Sequence, residues 1–120
     1  VNPHVQNRGW LGERACENII GITGHNLRLE AFKINPLGTE IKAKAHIQGI
    51  GWEDYGVIKK DTIIGTVGEG KRLECLCFEG DFQYRVHVQN SGWTDWTKAD
   101  GVATMGTVGQ ALRIEAIQFK

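Results

Sequence analysis

Charge of one sign is missing from this chain. Its 14 basic residues are balanced by 14 acidic ones, which removes the electrostatic reason to expect nucleic acid as a partner, because phosphate binding needs clustered Lys and Arg. Also missing is any apolar run near the ~20 residues that a membrane helix requires, so no insertion into a membrane is expected. Helical periodicity is absent, and proline is scarce at two residues, whereas glycine is plentiful at 16. That balance suits tight turns between short strands. No initiator Met or signal-type segment opens the chain, which reads as a processed or excised portion of a longer polypeptide. Chemistry is thinly represented. There is no GxSxG elbow, HExxH helix or phosphate loop, and a carboxylate pair such as Asp95 with Asp100 could act on a glycosidic bond only inside an enclosing cleft. An enzyme is therefore the least expected class, and no cofactor is expected.

Cysteine is limited to Cys16, Cys75 and Cys77. The last two stand i and i+2 on one strand, a poor geometry for a disulfide, and no CxxC spacing suggests a metal. They fill the places of Ala116 and Gln118 in a later copy of the same unit, which reads as drift between repeats.

What the chain does have is one unit written three times. Gly106 to Phe119, GTVGQALRIEAIQF, has earlier counterparts in GTVGEGKRLECLCF from Gly65 and GITGHNLRLEAFKI from Gly21. Each is preceded by a second shared phrase, HVQNRGW from His4, HIQGIGW from His46 and HVQNSGW from His87. The histidines stand 42 and 41 residues apart, and a fixed period of that size constrains the fold more than local propensity does. At 120 residues the chain suits one domain of three repeats, 1–37, 38–80 and 81–120. The boundaries fall at turn-like stretches, Pro36-Leu37-Gly38 and Glu79-Gly80-Asp81.

Within the third copy Tyr84, Val86 and Val88 alternate with Arg85, His87 and Gln89, the period of a half-buried strand. Leu112 and Ile114 alternate with Arg113 and Glu115, and then the phase slips so that Ile117 and Phe119 carry the apolar pattern onward. One extra residue is how a β-bulge looks in sequence, and the same slip occurs at Glu30-Ala31 and Glu74-Cys75. Asp100-Gly101 signals a turn inside a variable stretch from Thr94 to Ala103. Each copy supplies three or four short strands, too few to bury its own apolar face. The expected fold is all-β and closed, with threefold pseudo-symmetry that leaves no free edges. A β-trefoil is slightly favoured over a β-prism, whose lectins the GxxG-strand pattern also resembles.

These phrases resemble the ChW repeat, the clostridial hydrophobic repeat with a defining Trp, across nearly the whole chain. The resemblance implies a secreted or cell-surface setting in Gram-positive bacteria or their phages. It also implies an accessory module that binds glycans, cell wall or protein surfaces, and it carries over no ligand residue. Trp96 stands at the family's second aromatic position, Tyr55 replaces it in the second copy, and the first copy offers Gly12-Glu13 there. If that aromatic belongs to a ligand platform, the first copy should bind poorly.

Candidate binding residues fall into two sets. Trp10, Trp52 and Trp93 each follow a glycine, and a recurring large ring serves either as core filler or as a surface for stacking a sugar. Trp96 beside Asp95, and Tyr55 beside Asp54, offer an aromatic face next to a carboxylate, a pairing suited to sugar CH groups and hydroxyls. The second set is the polar face: His4 and Gln6 with Arg28 and Glu30, His46 and Gln48 with Arg72 and Glu74, His87 and Gln89 with Arg113 and Glu115. It reads either as structural pairing at the junction of neighbouring copies or as three hydrogen-bonding pockets. Three convergent histidines could bind zinc, but these alternate with the apolar set, so no metal site is expected. The leading expectation is a non-catalytic, lectin-like module with up to three weak sites for a cell-wall or cell-surface glycan, monomeric or weakly associating. The alternative is a structural or protein-interaction module.

Overall fold

A computed structural model describes residues 1–120. The chain is all-β, in twelve strands: β1 Asn2–Val5, β2 Gly9–Trp10, β3 Ile20–Gly21, β4 Leu29–Lys33, β5 Lys42–Ile47, β6 Gly51–Val57, β7 Ile64–Gly65, β8 Leu73–Val88, β9 Gly92–Trp93, β10 Thr97–Asp100, β11 Met105–Gly106 and β12 Ile114–Phe119. Three repeated strand units are visible in the pairing. In each copy the HxQ strand pairs antiparallel with the strand that ends the copy: β1 with β4, β5 with the first half of β8, and the second half of β8 with β12. The same HxQ strand turns back onto the Gly-Trp that follows it, with His4 opposite Trp10, His46 opposite Trp52 and His87 opposite Trp93. The turn takes Asn7, Gly49 or Asn90 into positive φ, a conformation that Asn and Gly tolerate best.

The copies join through the glycine that opens each GxxG. Gly65 pairs with Ala31, Gly106 with Cys75 and Gly21 with Ala116. The second copy thus lies on the first, the third on the second, and the first on the third. At these seams φ is between 101° and 117°, and a β-carbon would collide with the backbone carbonyl of Glu30, Glu74 or Glu115. Only glycine permits so close an approach.

The alternation seen in the sequence becomes the core. Val5, Ile47 and Val88 are equivalent and buried, as are Leu29, Leu73 and Ile114, and Phe32, Leu76 and Ile117. One cluster of 21 residues draws on all three copies. Phe78 is its aromatic hub, with ring centroids 4.9 Å from Tyr84, 5.7 Å from Phe119 and 6.0 Å from Phe32. Register shifts leave Glu30, Glu74 and Glu115 as the extra residues, so the three expected bulges are present at the expected places.

One local expectation needs correction. The chain does not turn at Glu79-Gly80-Asp81: β8 runs 16 residues straight through it. Gly80 serves there by lacking a β-carbon, which would strike the Phe82 ring. Pro36-Leu37-Gly38 does turn, with Leu37 and Gly38 at positive φ and Thr39 N–H donating to the Pro36 carbonyl at 3.1 Å. Asp54 and Tyr55 lie within β6.

Candidate functional site

The bulges explain the polar face. A carboxylate placed on a strand's extra residue leaves the alternation and reaches the neighbouring histidine and arginine together. Glu74 Oε1 lies 2.9 Å from His46 Nδ1, and its Oε2 accepts from Arg72 Nε at 2.8 Å. Glu115 repeats this with His87 at 3.0 Å and Arg113 Nε at 3.0 Å. In the first copy Arg28 Nε donates to Glu30 at 2.8 Å, but His4 Nδ1 sits 3.2 Å from Glu30 Oε1 without the alignment of a hydrogen bond. The three carboxylates are only 5–6 % exposed, so their partners are obligatory: an unpaired buried charge is strongly destabilising. Each triad belongs to a single copy, which corrects the expectation of pairing at the junction between copies.

Each tryptophan completes its triad from outside. The Trp10, Trp52 and Trp93 rings stand edge-on to their histidines, with centroids 5.1–5.4 Å apart and planes 80–81° apart. None belongs to the core cluster, so the expectation of a core filler fails. Their outer faces differ. Lys33 Nζ lies 4.5 Å over Trp10, and the Arg85 guanidinium lies 4.7 Å over both Trp93 and Trp96, with Lys120 Nζ a further 4.5 Å contact on Trp96. Arg85 is steadied there by Gln118, at 3.0 and 2.7 Å. Trp52 has no such cover. Cys77 occupies the place that Lys33 takes in the first copy and brings no cation to the ring. Trp52 is 44 % exposed.

The aromatic-carboxylate pairs do not form as expected. The Tyr55 hydroxyl accepts from Gly65 N–H at 3.0 Å and its ring packs on the core; burial pushes its pKa up. Asp54 Oδ1 accepts from Gly56 N–H at 2.9 Å. Asp95 is exposed, and Trp96 lies under two cations.

Two of the surface depressions involve these residues. Adjoining cavities of about 430 and 410 Å³ share Lys44, Asp54, Cys77 and Gly101. Three exposed apolar side chains line this groove, Trp52, Val57 and Val102. The second depression, about 370 Å³, is lined by the same positions of every copy: Gln6, Gln48 and Gln89 with Arg28, Arg72 and Arg113. The histidines do not line it. Each glutamine clasps its arginine's backbone, donating N–H to the arginine carbonyl at 2.9–3.1 Å and accepting the arginine N–H on Oε1 at 3.2 Å. The alternation in the sequence puts these glutamines and arginines on a common face, but only the packing of the copies brings the three sets together.

Three stretches, residues 4–38, 46–77 and 87–120, match the family described as Clostridial hydrophobic W. No curated protein and no solved structure matches the chain.

Proposed function

The chain belongs to the Clostridial hydrophobic W family, whose repeats are non-catalytic, and from that premise we propose that it is an interaction module of a secreted or cell-surface protein that holds a protein partner. The carrying observation is a division of labour. The His-Glu-Arg arrangement recurs in all three copies with nearly the same distances, whereas exposed Val57 and Val102, from stretches that differ between copies, gather beside Trp52, the one repeat tryptophan with no cation over its ring. A recurrent framework holds the fold, and the divergent groove reads the partner. Exposed aromatic and aliphatic side chains flanked by charges such as Lys42, Lys44, Asp54 and Glu79 have the make-up of a transient protein interface.

A second reading, a lectin-like glycan module, draws its support from Trp52 alone. Its ring is open and shares a cavity with the carboxylates of Glu53 and Asp54, a combination able to take a sugar's CH face and hydroxyls. Trp10, Trp93 and Trp96 are covered by cations, so the reading narrows from three sites to one.

For the fold we favour a closed threefold arrangement, a trefoil over a prism, forming one domain of three repeats. The cyclic order of the seams supports closure, and β8 passing unbroken from the second copy to the third supports a shared sheet over three separate ones.

Retention on intact bacterial or host cell surfaces tests the functional reading. Trp52→Ala with Val102→Asp should abolish retention. Loss of retention after protease treatment of the cells identifies a protein partner, and displacement by soluble polysaccharide identifies a glycan. Full retention by the double variant would remove the groove from the mechanism.

A further inference from the structure

We propose that the depression where the three copies meet is a binding site for one tetrahedral oxyanion, a sulfate or phosphate group presenting three terminal oxygens, independent of the groove assigned above. The side-chain hydrogen-bonding atoms left free in the depression are all donors. Each glutamine Oε1 is already engaged by an arginine N–H, so the amide is oriented and its Nε2 remains a donor without a protein partner. Each arginine turns its Nε edge to a buried glutamate. Nη1 of all three arginines, and Nη2 of Arg28 and Arg72, make no hydrogen bond to protein, while Arg113 Nη2 spends itself on Glu115 and on Asn26 Oδ1 at 3.3 Å. The depression therefore offers three carboxamides and at least three guanidinium edges as donors. No acidic side chain lines it.

Donors without acceptors select an anion, and charge-assisted hydrogen bonds from arginine are strong ones. The arrangement also fixes the anion's shape. Equivalent donors from three copies match a group with three equivalent oxygens around an axis, which a sulfate or phosphate monoester or the free ion provides. A carboxylate or a phosphodiester has only two. Glu30, Glu74 and Glu115 offset the arginine charge from behind, so recognition depends on donor direction more than on net charge, and the site discriminates against chloride.

Replacing an arginine would strand its buried glutamate and endanger the fold, so the test uses the rim. Asn26 and Ala111 line the depression at positive φ, which Asp adopts more readily than most residues. Asn26→Asp is isosteric, keeps the acceptor for Arg113 and adds one negative charge; Ala111→Asp adds a second. Side-chain amide resonances of Gln6, Gln48 and Gln89 are followed by NMR during titration with sodium sulfate, sodium phosphate and N-acetylglucosamine 6-sulfate, against sodium chloride at matched ionic strength. The three amides should shift together and saturably with the oxyanions. Asn26→Asp should weaken binding about tenfold, equivalent to roughly 1.4 kcal/mol, and the double variant further. Tighter binding of the sugar sulfate than of sulfate identifies an ester-borne group; equal or weaker binding identifies the free ion. Absence of a saturable shift with every oxyanion, or unchanged affinity in a folded double variant, overturns the proposal.

Discussion

Glu74 reaches His46 Nδ1 at 2.9 Å from a position that a β-bulge has removed from the strand's in-and-out alternation. The carboxylate is 5 % exposed and holds Arg72 with its other oxygen. Glu74→Gln keeps the shape but removes the charge from both partners. It should lower unfolding free energy by about 2 kcal/mol, the value of charge-assisted hydrogen bonds. Glu69→Gln, whose ion pair with Lys71 is exposed at 3.5 Å, should change it by less than about 0.5 kcal/mol. Urea unfolding of both variants makes the comparison; equal effects would show that the triad is not structural.

The seams depend on glycine for two reasons at once. Gly65→Ala places a β-carbon against the Glu30 carbonyl and also takes Ala to a φ of 101°. A loss of about 3 kcal/mol or more is expected, since strain of this kind alone reaches about 1–3 kcal/mol. Gly109→Ala, at a φ of 78° with open space around it, should lose only about 1 kcal/mol. Thermal unfolding of the pair separates the packing effect from the backbone effect.

Much of this was readable in advance because each feature was written three times. A phase slip at one Glu-Ala is weak evidence of a bulge, but the same slip at Glu30, Glu74 and Glu115 is strong. The alternation of Tyr84, Val86 and Val88 likewise translated directly into burial. What stayed hidden required knowing which strands become neighbours. Arg85 covers Trp93 and Trp96 only because β8 pairs with β12 and Gln118 then anchors the guanidinium. The convergence of three arginines needs the cyclic order of the seams, which no single copy encodes. The Glu79-Gly80-Asp81 stretch misled because glycine next to aspartate reads as a turn, whereas here the missing β-carbon makes room for Phe82.

Burial raises the pKa of Tyr84 and of Cys75, in both cases chiefly by desolvation of the charged form. Because these acids hold their protons more tightly folded than unfolded, they leave stability undiminished below their unfolded values, about 8.5 for Cys and about 10 for Tyr. Stability then falls as pH rises above those values, by up to about 1.4 kcal/mol per pH unit per group. Cys75→Ala should flatten the onset near pH 9 in a series of urea midpoints. A midpoint equally steep in the variant would exclude Cys75 as the source.

Arg85 is held between two indoles and Gln118. Arg85→Ala should cost about 1–2 kcal/mol through lost cation-π contacts and stem packing, and should shift tryptophan emission to the red as Trp93 and Trp96 meet water. An unchanged spectrum would show that the guanidinium does not cover these rings in solution.

Cross-strand nuclear Overhauser effects measure the cyclic order of the copies most directly. Contacts between Gly21 and Ala116, Gly65 and Ala31, and Gly106 and Cys75 are expected, all in one folded population. Finding the last two without the first would mean an open row of repeats, and the convergence of the three arginines would fall with it.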